Sequence, residues 1–213
     1  EGKLEEALTK INNGVKTTIT STGRTDKKVH ALSQYGHADI KVSITEYKLK
    51  RALNSNLPED IHVIDTKIVN DNFHARYNVA EKTYKYIMNL GEYNPIERNY
   101  VFQYNYKLDI KAIREGIKYF EGTHDFRAFV TDNKEKENCI RTISLTNIEE
   151  KDNKLVITFK GDGFLRYQVR NMVGILIKIG ENKISPSKVK EILESKDRTK
   201  AGKTAPAEGL YLV

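Results

Sequence analysis

Two β-branched segments, RTISLTNIEE (141–150) and KLVITFKGDGF (154–164), are separated only by Lys151-Asp152-Asn153, so they must pair as an antiparallel hairpin. Such a hairpin is stable only when its apolar face is covered, and the chain supplies the covers. DIKAIREGIKYF sets Ile110, Ile113, Ile117 and Phe120 on one helical face behind an Asp109 cap. A further helix is expected from about Asn171, and another after Ser185-Pro186, a good cap and first-turn pair. KTYKYIMNL adds a strand that alternates Tyr84, Tyr86 and Met88 against Thr83, Lys85 and Ile87. The class this predicts is α+β, with helices packed on one face of a mainly antiparallel sheet.

The upstream half follows a similar order. Leu4, Ala7, Leu8 and Ile11 mark an amphipathic helix stopped by Asn12-Asn13-Gly14. VKTTITS and VHALSQYGHADIKV then read as strands flanking an exposed loop, STGRTDKK. Thr45 caps EYKLKRALNSN, which ends at Leu57-Pro58, and IHVIDTKIV reads as a third strand. The expectation is two similar α+β halves with a boundary near Ala75: 1–75 carrying the Asp26 loop, and 76–213 carrying Tyr84 and Arg170.

Composition narrows the partners. The 36 Lys and Arg against 29 Asp and Glu leave a net charge of +7, which favours an anionic partner. The longest apolar stretch, Met172 to Ile179, is far short of the roughly 20 residues a membrane span needs. A single cysteine, Cys139, excludes an internal disulfide and a paired-cysteine zinc site and fits a reducing cytoplasm. The five histidines, His30, His37, His62, His74 and His124, form no i, i+4 pair, and neither a G-x-G-x-x-G nor a G-K-[ST] loop occurs, so neither a metal nor a nucleotide cofactor is expected. TDNKEKEN (131–138) has mixed sign and reads as a solvated loop. Twelve tyrosines interleave with basic residues in KTYKY, EYKLKR and IKYF, as in proteins that stack bases and track phosphates. The chain opens with neither a Met nor a secretory leader and is expected to be part of a longer translation product.

Two stretches could carry chemistry. In Thr22 to Ala31, Asp26 sits in a loop between strands with Arg24, Lys27 and Lys28 around it, a setting for a nucleophile or base, or simply for a turn-forming acid. In Gly161 to Gly174, a strand is expected to run directly into a helix with Arg166, Gln168 and Arg170 on one strand face. Arg170 there could pair with a carboxylate or face a phosphate. The residues alone go no further than a basic α+β protein with an acidic loop.

GRTDKKVHALSQ, FHAR followed by KTYKY, GDGFLRYQVRNMVG and APAEGLYLV together resemble the TruA family of tRNA pseudouridine synthases, in the family's order and at about its spacing. The resemblance implies two α+β halves facing each other across a basic cleft, homodimerisation, tRNA as partner, and no metal or cofactor. It puts the catalytic aspartate at Asp26, the active-site tyrosine at Tyr84 and the arginine that pairs with the aspartate at Arg170. Arg24 matches the position that contacts RNA and holds the target nucleotide out of the stack, and Leu210 one that lines the base pocket. Lys28, His30 and Arg166 in the same blocks are expected to contact RNA. The implied activity is conversion of uridine to pseudouridine at positions 38 to 40 of the anticodon stem-loop, in the cytoplasm.

Two departures from the family pattern stand out. The family begins with a strand and a Tyr-Asp-Gly motif upstream of the first helix, whereas this sequence begins at that helix, so one strand of the first sheet is expected to lie outside it. Lys28 replaces a glycine two residues after the aspartate, where positive φ would suit glycine. Both motivate an alternative, an RNA-binding protein of the same fold with little catalysis. A third reading, an acid-dependent hydrolase using Asp26, lacks the second carboxylate a glycosidase pair requires.

Overall fold

The computed structural model describes residues 1–131 and 138–213; most of the charged run at 131–138 therefore lies outside the described residues. In chain order the elements are α1 (Gly2–Ile11), β1 (Thr20–Ser21), β2 (His30–Ala31), β3 (Gly36–His37), α2 (Glu46–Asn56), β4 (Lys82–Asn89) and β5 (Phe102–Gln103). They continue with α3 (Ile110–Ile117), β6 (Gly122–Asp125), β7 (Ile140–Lys151), β8 (Lys154–Gly161), α4 (Gln168–Gly180), α5 (Lys188–Ser195) and β9 (Leu210–Leu212). The mix of helices with mainly antiparallel strands is the α+β class expected.

The chain forms two compact units, Glu1–Arg24 with Gln34–Val79, and Thr25–Ser33 with Ala80–Val213. This division differs from one near Ala75, and the reason is a strand pairing. β2 lies parallel to β9, His30 opposite Tyr211 and Ala31 opposite Leu212, and the Leu32 N–H donates to the Leu212 carbonyl at 2.8 Å. The Asp26 segment is thereby built into the C-terminal unit.

That unit is organised by the hairpin. β7 and β8 pair in antiparallel register, with a bulge between Ile143 and Leu145, and Asp152 and Asn153 turn the chain with φ of +50° and +60°. β8 also pairs with β4, and the full order is β2-β9-β4-β8-β7-β6, with β5 beside β4. Alternation sends Tyr86, Met88, Leu155, Ile157, Phe159 and Ile148 to one face, all buried. They share one core with Ile113 and Ile117 of α3 and with Val169, Met172, Val173, Ile175, Leu176 and Ile179 of α4. Each such side chain contributes about 1.5–3 kcal/mol by leaving water. The Asp109 carboxylate caps α3 by accepting the Ala112 N–H at 3.0 Å, as expected from sequence.

Gly161 to Arg170 departs from the expected strand-into-helix path. β8 stops at Gly161 and Tyr167 turns left-handed, with φ +63° and ψ 0°, as the N-cap of α4. Arg166, Gln168 and Arg170 consequently share no strand face. The buried Gln168 explains the break: its Oε1 accepts the Leu165 N–H at 2.8 Å and its backbone N–H bonds the Leu165 carbonyl at 3.0 Å. These local bonds replace the sheet ladder and start the helix three residues before Asn171.

In the N-terminal unit, α1 and α2 bury Ala7, Leu8 and Leu53 together, and Ile11, Ile19, Leu49 and Val63 pack against them. The only ladder among the described residues of this unit is β1 with β3. The expected strand IHVIDTKIV has no ladder partner among the described residues. Side chains of α2 serve its backbone instead. Asn54 bonds both the N–H and the carbonyl of Val63, at 2.7 and 3.0 Å, and the Glu46 carboxylate accepts the Ile68 N–H at 2.7 Å.

No helix among the described residues is long and apolar enough to cross a membrane. Several phenols of the C-terminal unit are held neutral. Burial raises the pKa of Tyr86 well above the ordinary value, and burial with the Glu181 hydrogen bond (2.7 Å) raises that of Tyr104. Each binds its proton more tightly folded than unfolded, so the stability it contributes is full below about pH 10 and is lost as pH rises through the folded value. The melting temperature of Tyr104→Phe should therefore approach that of the parent chain between about pH 10 and 11. A constant difference between the two from pH 7 to 11 would contradict this.

Candidate active site

Asp26 opens a tight turn. Its carbonyl accepts the Val29 N–H at 3.0 Å, and of the two central residues, Lys27 and Lys28, only Lys28 has positive φ, +69°, the sign pattern of a type II turn. The sequence then passes directly into β2, whose pairing with β9 fixes the turn to the sheet. Lys28 itself is exposed, so its strain comes from the backbone and not from crowding.

Arg170, in the first turn of α4, meets Asp26 there. Its Nη1 donates to Asp26 Oδ2 at 2.9 Å, with the two side chains only 14% and 21% exposed. Arg170 is held from two further directions. Its Nε donates to the Ala205 carbonyl at 2.8 Å while the Ala205 N–H returns a bond to the Arg170 carbonyl at 3.0 Å. Its guanidinium also lies 5.1 Å from the centre of the Tyr167 ring. The segment carrying Ala205 can approach because α4 has Gly174 one turn on, where an added Cβ would stand 2.0 Å from the Lys203 carbonyl oxygen.

Tyr84 comes from β4, opposite Phe159 on one side and Leu212 on the other. Its ring meets Phe164 edge-on at 5.2 Å. Burial raises the pKa of its phenol first, and the negative charge of Asp26 raises it further. Two residues along, on the same face, Leu210 is buried opposite Tyr86, whose hydroxyl donates to the Pro206 carbonyl at 2.8 Å. Gly209 permits that contact, since a Cβ there would reach the Tyr86 ring at 2.8 Å. Asp26, Arg170, Tyr84 and Leu210 thus all belong to the C-terminal unit.

The remaining expected residues have other surroundings. Arg24 belongs to the N-terminal unit, where its Nε and Nη2 both lie 3.1 Å from Glu1 Oε2. Arg166 is exposed, with its guanidinium 5.1 Å from the centre of the Tyr167 ring. His30 is opposite Tyr211, and Tyr211 is opposite Lys85, so alternation puts His30 on the sheet face away from Tyr84. There its ring stacks on Tyr211 at 4.6 Å and Tyr100 at 5.4 Å, and its Nε2 is 3.0 Å from the Asn99 carbonyl.

One supporting residue escaped the sequence reading. Asn171 is fully buried; its Nδ2 donates to the Phe129 carbonyl at 2.6 Å, and its Oδ1 accepts from Arg198 (2.9 Å) and Thr204 (2.6 Å). It therefore ties α4 to the segment that holds Arg170. The available signal was a lone amide inside the apolar run VRNMVGILI.

A turn-borne carboxylate paired with a helix-borne arginine, with a half-buried tyrosine on the same α+β sheet, is the arrangement the family resemblance leads one to expect, and comparison with known proteins shows the family. The family described as tRNA pseudouridine synthase matches residues 1–78 and 117–213, and the chain belongs to it. It is 44% identical over 213 residues to the tRNA pseudouridine synthase A of Streptococcus pneumoniae strain P1031, covering 99% of this chain and 86% of that protein. Proteins of the same name from strains G54 and D39 are 43% identical over the same shares.

The turn makes a direct prediction. A non-glycine residue at positive φ costs about 1–2 kcal/mol, while glycine costs about 0.4–1 kcal/mol through its freer unfolded chain. Lys28→Gly should therefore stabilise the protein by up to about 1.6 kcal/mol, raising its melting temperature by up to about 3–6 °C. A lower melting temperature for the glycine variant would show that the lysine is not strained.

Proposed function

We propose that this chain isomerises uridine to pseudouridine at positions 38 to 40 of the tRNA anticodon stem-loop, with Asp26 as nucleophile or base. The supporting observation is the state of the Asp26 carboxylate. Oδ2 is held by Arg170 at 2.9 Å, whereas Oδ1 receives no hydrogen bond among the described residues. One oxygen is oriented and the other can react.

The reaction breaks the N1 to C1′ bond, rotates the uracil and joins C5 to C1′. C5 loses a proton and N1 ends carrying one, so composition and oxidation state are unchanged. The base must leave its stack to reach a carboxylate inside the protein. Arg170 keeps Asp26 ready by charge and direction, and Leu210 with the edge-paired Tyr84 and Phe164 supplies apolar surface for the extracted uracil. Tyr84, its pKa raised, is a neutral phenol at physiological pH and a poor free base. It acts as a relay, taking the C5 proton while passing its own to the Asp26 carboxylate, which releases it to solvent as N1 takes one from solvent, so that both side chains end as they began. Arg24, Lys28 and Arg166 contribute to RNA contact, and the excess positive charge makes tRNA affinity fall steeply with salt. The facing of two halves across a basic cleft, a homodimer and a cytoplasmic setting belong to this proposal on the family resemblance alone.

The test is tritium release from C5-labelled uridine in a tRNA transcript. Release by the parent chain and none by Asp26→Asn is the expected result. Salt-sensitive binding of tRNA without release by the parent would instead favour the RNA-binding reading with little catalysis.

Tyr84 gives a separate expectation. Tyr84→Phe keeps the ring, so tRNA affinity should stay within about threefold. Loss of the relay should cut the release rate by about a hundredfold or more, the usual scale of general acid–base catalysis. Undiminished release would reduce Tyr84 to a stacking surface.

A further inference from the structure

The FHAR block, Phe73 to Arg76, has no role in the chemistry above, yet with Tyr77 it builds a stack of rings in the N-terminal unit. The His74 N–H donates to Asn78 Oδ1 at 2.6 Å, and the N–H groups of Tyr77 and Asn78 return to the His74 carbonyl at 3.1 and 2.9 Å. His74 Nδ1 accepts the Arg76 N–H at 3.2 Å, and His37 Nδ1 accepts the Ala75 N–H at 3.1 Å. On this closed turn the Tyr77 ring stacks on His74, centroids 4.3 Å apart and planes 27° apart, and His37 supports His74 edge-on at 5.0 Å. Tyr77 remains 77% exposed, so with one ring face on His74 its other face is open to solvent.

The surroundings of this open ring suit a nucleotide. It borders an open hollow that Thr20, Ser21, Arg24, His74 and Arg76 also line. Two carboxylates also line it, and both are engaged. Glu1 bonds Ser21 and Arg24, and Glu5 accepts the Ile19 N–H at 3.1 Å. The Arg76 guanidinium has no hydrogen bond or ion pair among the described residues. The four charged groups that line it balance, two arginines against two carboxylates, and among the described residues Arg76 is the cation with no bonded partner, next to a pre-ordered aromatic face.

We propose that Tyr77, backed by His74, is a stacking platform for one unpaired nucleotide of the RNA substrate, with Arg76 on its phosphate. The proposal rests on RNA being the substrate. Stacking is indifferent to base identity because every base presents a π-face, so the platform holds RNA by its unpaired character and not by sequence. It adds a stacking contact to the extracted uridine and the contacts of Arg24, Lys28 and Arg166.

The test measures equilibrium binding of tRNA, a short single-stranded RNA and a fully paired RNA stem, using the parent chain and Tyr77→Ala, Tyr77→Phe and Arg76→Gln. Tyr77→Ala should weaken binding of tRNA and single-stranded RNA about tenfold, with Tyr77→Phe restoring it and paired RNA unaffected. Arg76→Gln should weaken all RNA that reaches the platform and lower the salt slope by about one. Because Tyr77 is exposed, its variants keep the parental melting temperature. Equal affinities of Tyr77→Ala and Tyr77→Phe would overturn the platform, and so would an equal Tyr77→Ala penalty on paired RNA. Repeating the binding in Asp26→Asn keeps this apart from catalysis: failure of tritium release by the parent chain counts against the isomerase reading and leaves the Tyr77 comparison intact.

Discussion

The arrangement of the candidate site depends on one short parallel pairing, β2 with β9. Two residues near the start of the chain lie beside three near its end, and this carries the Asp26 turn onto a sheet whose other strands are all downstream. Without it Asp26 would have only its own turn hydrogen bond. With it, the carboxylate is directed at Arg170, and the same β9 places Leu212 against Tyr84 and Leu210 against Tyr86. One strand of three residues thus fixes the relative positions of acid, tyrosine and apolar wall.

The ion pair formed there is unlike the surface pairs elsewhere on the molecule. Lys3 with Glu6 and Lys190 with Glu194 are more than 60% exposed on both sides and contribute little, because water screens them. Arg170 and Asp26 are sheltered, and every other bond to Arg170 comes from backbone or from an aromatic ring. Removing the arginine would leave the carboxylate sheltered and unpaired, a situation proteins avoid. The Asn171, Arg198 and Thr204 network stabilises the segment that carries Ala205, so the orientation of Arg170 is set by groups that never touch Asp26.

Much of the C-terminal unit was legible in the residues because periodicity and burial agree there. Ile110, Ile113 and Ile117 repeat at helical spacing, and Tyr86 and Met88 alternate with a half-buried Ile87. Legibility failed where side chains took over bonds that a strand would make with another strand. IHVIDTKIV alternates like a strand, but Asn54 and Glu46 satisfy its backbone. FLRYQVR also looks extended until Gln168 caps it and Tyr167 turns left-handed. At the site, motif resemblance marked Asp26, Arg170 and Tyr84, whereas the role of Ala205 could not be read, because it contributes a carbonyl and not a side chain. His30 shows the reverse limit: it lies in the most informative block of the sequence, but strand alternation turns it to the other face of the sheet.

The pairing of β2 with β9 also has a meaning in time. A ribosome makes the Asp26 turn long before the β9 residues that hold it, and until β9 emerges the turn has no sheet edge to join. Contacts so far apart in sequence form slowly, because a long loop must close first. Until β9 is made, the nascent chain therefore holds the Asp26 turn and Arg170 without the strand pairing that brings them together.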